Sequence, residues 1–282
     1  MQPSLYYRHS GKVGSLAVPY ILGFGLAGAF ILGPVYAYVD YFIPIIYLNL
    51  VACVFYGVII GMLVGAGAKR GKVRSDFVAL LGGLLVGLIA LYVAWVFWFR
   101  AASGGQFMTF WPPTLWEAIR EVNARGVWRL RGSVVKGTTL YIAWIAEALT
   151  IVGSSALVAY LNIPDEPFCE GCDSWIKDKR VVSPLQVIAD PKAFRARLER
   201  GEYEEIIALR PVPAGDPSFT SLELLHCSKC RQSFFLTAKE TTITIGDDGN
   251  AKRHQKTLVG NMVIESGVYD ALSQQWTSHG FR

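Results

Sequence analysis

The feature that most constrains this chain is a series of four long apolar stretches within its first 163 residues. They run roughly over residues 15–39, 41–68, 77–99 and 138–161. A membrane helix needs about 20 mostly apolar residues to cross a hydrocarbon core of about 30 Å, and each stretch reaches or approaches that length. The sequence therefore predicts an all-α four-helix transmembrane bundle.

The composition of the chain supports this prediction. Hydrophobic residues make up 52% and charged residues only 17%, whereas an ordinary soluble domain is about 25% charged. Residues 1–162 contain 12 Lys or Arg and 5 Asp or Glu, while residues 163–282 contain 15 and 17. Because the excess of positive charge belongs to the membrane half, it indicates contact with anionic lipid headgroups of the bilayer, and nucleic acid is an unlikely partner.

The first stretch is interpreted as a span and not as a signal peptide. Its apolar run is too long for a signal peptide, and Gly33-Pro34 is followed directly by another apolar stretch. Aromatic residues near the span ends, among them Tyr36 and Tyr38, are expected to lie at headgroup level.

The positively charged loops do not decide the orientation. With the N-terminus inside, six basic residues lie in the inner segments and six in the outer loop of residues 100–137. An alternative model, in which residues 77–99 dip in and out of the membrane at Gly82-Gly83, would place the C-terminal half outside.

The most specific motif is a pair of Cys-x-x-Cys sequences, formed by Cys169 with Cys172 and by Cys227 with Cys230. In a zinc knuckle two such thiolates converge on one metal ion at about 2.3 Å. Gly171 suits the tight turn that the first pair requires. Residues 221–225 and 233–237 flank the second pair and read as the strands of a hairpin.

These knuckles and their flanking strands resemble a zinc ribbon, but only over that part of the chain. The sequence departs from the pattern in the 54 residues between the pairs, where ribbons usually have about 15–20. We expect this gap to hold a helical insertion that begins at Asp190-Pro191 and continues through Phe194 and Leu198 to Ile206. The expected fold of the C-terminal half is therefore a cytosolic α+β, zinc-ribbon-like domain.

Two other interpretations of the cysteines are two disulfides, which require an oxidising compartment, or a redox-active Cys-x-x-Cys. We favour structural Zn²⁺, because two knuckles complete a tetrahedron. Thiolate ligands indicate the reducing side of the cell membrane, so the C-terminal domain is predicted to be cytoplasmic and the four-span model follows. His226 is expected to point away from Cys227, since adjacent strand residues face opposite sides. Cys53 is expected to be a packing residue.

The predicted organisation is a cytosolic N-terminus over residues 1–14, a membrane domain over 15–163 and a soluble zinc-binding domain over 164–282. Near residues 114–131 we expect a helix in the membrane interface, with Thr114 and Glu117 forming a capping box. The soluble domain is expected to end with a hairpin that turns at residues 247–250 and a helix near residues 268–275.

Two features of the spans bear on function. Gly57, Gly61 and Gly65 lie on one helical face, where backbones can approach closely within the bundle or between subunits. Glu147 lies near the middle of the fourth span, and Thr150 and Ser154 share its face. In a homo-oligomer this stripe would line a cation-selective pore; the alternative is that Glu147 bonds a neighbouring helix and only fixes packing.

The sequence bears on three classes of function, namely an enzyme, a channel and an adaptor. The chain has no intramembrane His, P-loop or Gly-x-Ser-x-Gly motif, so we expect no enzyme. The first hypothesis is a homo-oligomeric channel or pore-forming effector that a cytosolic zinc-ribbon-like sensor domain regulates. The alternative is a non-catalytic, membrane-anchored adaptor whose zinc domain binds a cytosolic protein or ligand.

Overall fold

The computed structural model describes residues 5–43, 45–127, 129–130, 133–213, 215–245 and 250–277. Two compact units make up the chain. One runs from Ser10 to Pro164. The other joins Asp165 and the residues after it to an N-terminal segment that ends at His9. Residues 5–9 therefore belong to the same unit as the C-terminal domain, whereas the sequence predicted a separate N-terminal segment over residues 1–14.

The first unit contains four helices long and apolar enough to cross a membrane. They are α1 (Ala17–Phe42), α2 (Ile46–Arg70), α3 (Asp76–Ala102) and, after a shorter helix α4, α5 (Thr138–Leu161). Helix α1 continues through Pro34. Helix α3 is unbroken at Gly82-Gly83, so the alternative in which this segment dips in and out of the membrane is wrong for this fold.

The four long helices form a bundle in which α1 and α5 each pack against both α2 and α3. Its core contains many small and β-branched side chains, among them Ala29, Ile60, Val64, Val86 and Ala90, each fully buried. Many larger apolar side chains point outward instead, including Phe30, Phe55 and Leu149. Small side chains inside and large apolar side chains outside suit helices that pack closely against one another and face lipid on their outer surface.

Helix α4 spans Pro112–Arg125, and two short paired strands follow it, β1 (Arg129–Leu130) and β2 (Ser133–Val134). The predicted capping box is wrong, because the helix begins at Pro112 and Trp111 occupies the N-cap position without a side-chain cap. Proline at the first helical position explains the earlier start, since it has no N–H to satisfy. The helix ends at Arg125, before the predicted end at residue 131. Two residues of the predicted segment, Trp128 and Arg131, lie outside the described residues.

Leu115 of α4 is buried and packs with Val96 and Phe99 near the end of α3, and Ile119 and Val122 join the same cluster. The opposite face of the helix carries polar side chains, and Trp116 is 54% exposed. This amphipathic arrangement is the one expected of a helix at a membrane interface.

The second unit is built on a four-stranded antiparallel sheet in the order β5-β6-β7-β8. The strands are β5 (Asp178–Leu185), β6 (Ser218–His226), β7 (Phe234–Ile245) and β8 (Ala251–Val263). A short hairpin of β3 (Phe168–Cys169) and β4 (Ser174–Trp175) precedes them. The hairpin predicted around the second cysteine pair is present as β6 and β7. The turn predicted at residues 247–250 lies mostly outside the described residues.

Three helices contribute to the hydrophobic core of this unit together with the sheet: α6 (Pro191–Glu199), α7 (Glu204–Ala208) and α8 (Ser266–Thr277). The Asp190 carboxylate caps α6 by accepting from the backbone N–H groups of Lys192 and Ala193, each at 3.0 Å. The single helix predicted to reach Ile206 is wrong. Its first part ends at Glu199 because Gly201 adopts a positive φ of 82°, a conformation that glycine accepts readily and that stops a helix.

Candidate metal centre and intramembrane polar contacts

Two turns bring the four paired cysteines together. Cys169 ends β3, and the β3–β4 turn carries Cys172. Cys227 and Cys230 lie in the turn between β6 and β7, where the Arg231 N–H donates to the Cys227 carbonyl at 2.8 Å. In each turn the residue after the second cysteine has a positive φ, 47° at Asp173 and 51° at Arg231. The left-handed position is therefore Asp173, and not the Gly171 that the sequence suggested.

The geometry of the cluster fits a tetrahedral metal ion. The four Sγ atoms all lie within 4.8 Å of one another, and Cys169 Sγ lies 3.6 Å from Cys230 Sγ. Four thiolates about 2.3 Å from one metal would be separated by about 3.8 Å, close to that distance. All five cysteines are free, so these pairs are not disulfides. The four-cysteine cluster can hold a metal ion.

The surroundings of the thiols differ on the two sides of the cluster. Cys169 and Cys227 are buried, with Ile176, Leu225 and Phe235 packed around them. Burial raises the pKa of the Cys227 thiol, but hydrogen bonds from the backbone N–H groups of Cys230 and Lys229, together with those from the Cys169 and Cys230 side chains, outweigh that effect and lower the pKa to about 7. This turn therefore favours a thiolate, the form that binds metal.

The opposite shift occurs at Cys172. Its hydrogen bond with Cys230 is the main cause that raises the pKa of the Cys172 thiol to about 12, and desolvation and the other two cysteines add to it. Thiolates that converge in this way repel one another, so the four cannot all ionise without a cation between them. A divalent cation resolves that conflict because it favours the charged form of every ligand.

His226 lies on the other face of β6, as the alternation of a strand requires. Its Nδ1 lies 3.0 Å from the Tyr269 hydroxyl on α8, whereas Cys227 faces the thiol cluster. Desolvation lowers the pKa of His226, and the neighbouring guanidinium groups of Arg180 and Arg231 add to this, with Asp178 acting against them. His226 therefore packs beneath a helix and is not a member of the four-cysteine group.

The second site is the contact of Glu147 inside the helix bundle. The Tyr36 hydroxyl donates to Glu147 Oε1 at 2.6 Å and lies 3.1 Å from Cys53 Sγ. The Tyr36 ring stacks on Tyr56, with 4.7 Å between ring centroids. Tyr36 is thus 6% exposed and lies inside the bundle, so its predicted place in a headgroup belt is wrong. Cys53 is also buried, and it has this polar contact in addition to its packing role.

Thr150 and Ser154 bond to their own helix. The Thr150 hydroxyl donates to the Ala146 carbonyl at 2.8 Å, and the Ser154 hydroxyl donates to the Thr150 carbonyl at 2.6 Å. A hydroxyl bonded to a carbonyl one turn earlier is the usual way in which a membrane helix satisfies Ser and Thr. The predicted polar stripe exists as a helix face, but Glu147 bonds to Tyr36 of α1, whereas Thr150 and Ser154 bond to carbonyl groups of their own helix.

The glycine face of α2 packs against α5. A methyl group at position 61 would lie 2.6 Å from the Ser155 carbonyl oxygen, and one at position 65 would lie 2.6 Å from Cβ of Asn162. At Gly57 the nearest atom would be the Ser154 hydroxyl oxygen. Gly83 and Gly87 of α3 approach the same helix around Ser155, whose hydroxyl donates to the Gly83 carbonyl at 3.0 Å. These glycines serve close packing within one chain.

Sequence reasoning missed Tyr36, Cys53 and Trp175 as neighbours of the two sites. Tyr36 and Cys53 lie next to Glu147 only through packing between helices, whereas Trp175 belongs to the hairpin that carries the first cysteine pair. A weak signal existed for Trp175, because it follows the first cysteine pair by three residues. The sequence contains no comparable signal that places Tyr36 beside Glu147.

The fold and the site define a class of protein in which a bundle of four apolar helices is joined to an α+β domain with a four-cysteine cluster. Comparison with protein-family models, with curated proteins and with solved structures finds no match to this chain.

Proposed function

We propose that this chain is a membrane-anchored adaptor, in which four helices hold a zinc-stapled domain at the cytoplasmic face so that the domain can bind a protein partner. The observation that carries the proposal is the hydrogen bond between Tyr36 and Glu147. It gives the central carboxyl group of the membrane half a partner within the same chain, as a stable anchor requires.

Membrane insertion is supported by length and surface. The candidate spans have 24 to 27 residues, so even the shortest is about 36 Å long at the helical rise and exceeds a hydrocarbon core of about 30 Å. Along most of the length of these helices, the side chains that point out of the bundle are apolar. Basic residues end α2 at Lys69 and Arg70, where headgroups would lie.

The N-terminal segment supports an even number of crossings. The Val263 N–H donates to the Leu5 carbonyl and the Tyr7 N–H donates to the Asn261 carbonyl, each at 2.9 Å. Residues 5–9 thus belong to the same unit as the C-terminal domain, and both must lie on one side of the membrane. Four crossings satisfy that requirement and three do not. Thiolate chemistry favours the cytoplasm for this side.

Zinc is the metal that the donor set fits best, since four thiolates without an open position form a closed structural site. Cys169, Cys172, Cys227 and Cys230 would hold it. The ion supplies the attraction that keeps four thiolates together, and the chain supplies the two turns and the apolar packing that orient them. A tetrahedral four-sulfur site also accepts iron, which metal analysis distinguishes.

The channel hypothesis stays a prediction and competes with the adaptor. It requires Glu147 to face water in an assembly of several chains. In the bundle described here Glu147 is half-buried and bonded to Tyr36, and Gly57, Gly61 and Gly65 pack against α5. The features that suggested a pore therefore have a role within one chain, which favours the anchor.

A flux experiment separates the two hypotheses. Full-length protein, Glu147→Gln and a chain that lacks residues 169–282 are reconstituted in liposomes loaded with a potassium-sensitive dye. The adaptor proposal expects no cation flux from any of the three, with Glu147→Gln less stable to heat than the wild type. A flux in the wild type or the truncated chain that loses selectivity in Glu147→Gln would establish the channel instead.

A further inference from the structure

The N-terminal residues 5–9 form a segment, here called the strap, that is held against the cysteine cluster. Its backbone pairs with the outer edge of β8 near Met262, as an additional antiparallel strand. Successive strand residues face opposite sides of a sheet, so neighbouring strap residues reach different layers of the domain. Tyr6 and Tyr7 show this division.

Tyr6 faces the helical layer. Its hydroxyl donates to Glu199 Oε1 at 2.7 Å and accepts from Arg195 Nε at 3.0 Å. The Arg195 guanidinium lies 4.9 Å from the centre of the Tyr6 ring. These contacts attach the strap to α6, which contains no metal ligand.

Tyr7 and His9 face the metal layer. The Tyr7 ring meets Phe235 edge-on at 5.6 Å and packs against the cluster that includes the four cysteines. The His9 ring meets Trp175 edge-on at 6.0 Å, and Trp175 lies at the end of the hairpin that carries Cys169 and Cys172. The strap therefore contacts both sides of the metal centre.

The hairpin under His9 depends on the metal. Strands β3 and β4 have only two residues each, and such a short hairpin is not stable in water by its own hydrogen bonds. Ile176, which follows the hairpin, packs against Leu225 and Phe235 of the sheet, and metal–thiolate bonds from Cys169 and Cys172 to the second pair would fix the rest of the hairpin there. Without them, Trp175 no longer offers a fixed surface to the strap.

We propose that the strap responds to the metal, so that it is docked while the four-cysteine centre is loaded and is released when the metal is lost. This inference rests on the metal centre of the proposed function. Ser10 follows the strap directly and begins the membrane unit, in which Arg74 and Lys12 share a backbone hydrogen bond of 3.0 Å and α1 starts at Ala17.

Hydrogen exchange of the full-length protein in detergent micelles tests the proposal, with metal content measured on the same samples. In metal-loaded protein the Tyr7 amide should be protected, because it donates to the Asn261 carbonyl. Treatment with a zinc chelator should speed its exchange by about tenfold or more while peptides from β6 and β7 stay protected. An unchanged rate at Tyr7, or equal loss of protection throughout the sheet, would overturn the proposal.

A second pair of variants avoids any change to the ligands. Trp175→Ala removes the ring that His9 contacts, and Trp175→Phe keeps an aromatic surface there. We expect Trp175→Ala to speed exchange at Tyr7 with its metal content unchanged, and Trp175→Phe to resemble the wild type. Unchanged protection of the Tyr7 amide in Trp175→Ala would refute the proposal that the strap responds to the metal. If the wild-type protein contains no metal, the metal centre itself is wrong, and that result is visible before any exchange is measured.

Discussion

Tyr36 and Glu147 are 111 residues apart in the sequence and share a hydrogen bond of 2.6 Å between the phenol and the carboxyl group. The bond joins α1 to α5. Each of these helices packs mainly against α2 and α3. A polar contact of this kind orients helices in a bundle whose other contacts are mostly apolar, because an apolar surface alone allows several rotations of each helix.

We expect Tyr36→Phe to lower the free energy of unfolding by about 0.5–2 kcal/mol, as measured for hydrogen bonds between membrane helices. The phenylalanine ring keeps the stacking on Tyr56 and removes only the hydroxyl. A double-mutant cycle with Glu147→Leu, which removes the acceptor oxygen that glutamine would keep, measures the coupling by thermal unfolding in detergent. Strictly additive effects of the two substitutions would show that the bond does not contribute to stability.

Gly61→Leu should disrupt the packing of α2 against α5, because its first side-chain carbon would already lie 2.6 Å from the Ser155 carbonyl oxygen. We expect a loss of about 1–3 kcal/mol, as for other overpacked cores. The matched control is Gly153→Leu on α5, because no described atom lies within 4 Å of a side-chain carbon added at Gly153. Equal thermal midpoints for the two variants would mean that the α2 face is exposed to lipid.

Metal analysis of the purified protein should give about one zinc ion per chain. Cys172→Ser should lose the metal and destabilise the soluble domain, because three thiolates leave the tetrahedron open. Cys53→Ser is the control, since Cys53 lies in the membrane unit and outside the four-cysteine group. Iron in place of zinc, or metal retained in full by Cys172→Ser, would contradict the assignment.

Reporter fusions at the two ends of the chain should place both on the cytoplasmic side. The pairing of residues 5–7 with β8 requires a common side, and the thiolate cluster requires a reducing one. Ends on opposite sides would exclude the four-span model. Both ends outside the cell would leave that model intact and remove the argument for zinc.

His226→Ala should keep the full metal content although it removes the residue next to Cys227. The imidazole contacts Tyr269 on the opposite face of β6, so the expected loss is that of one partly buried hydrogen bond, about 1 kcal/mol. Thermal unfolding and metal analysis of the same preparation measure both quantities. Loss of metal in this variant would show that the imidazole takes part in binding.

Features that depend on residues close together in the chain could be predicted from the sequence. Four runs of apolar residues suffice to predict four long helices, because helix length and hydropathy are local properties. Spacing within Cys169–Cys172 and Cys227–Cys230 likewise predicts two metal-binding turns. The hairpin of β6 and β7 follows from the two apolar runs that flank the second cysteine pair.

Which helix faces meet could not be predicted from the sequence, because it depends on how the elements pack together. The periodicity of α2 puts Gly57, Gly61 and Gly65 on one face, but it does not say whether that face meets α5 or a second chain. The depth of Glu147 in its span indicates the need for a partner, and the position of Tyr36 across the bundle supplies it. The strap joined the C-terminal domain for the same reason, since pairing between elements distant in the chain depends on how all the elements pack together.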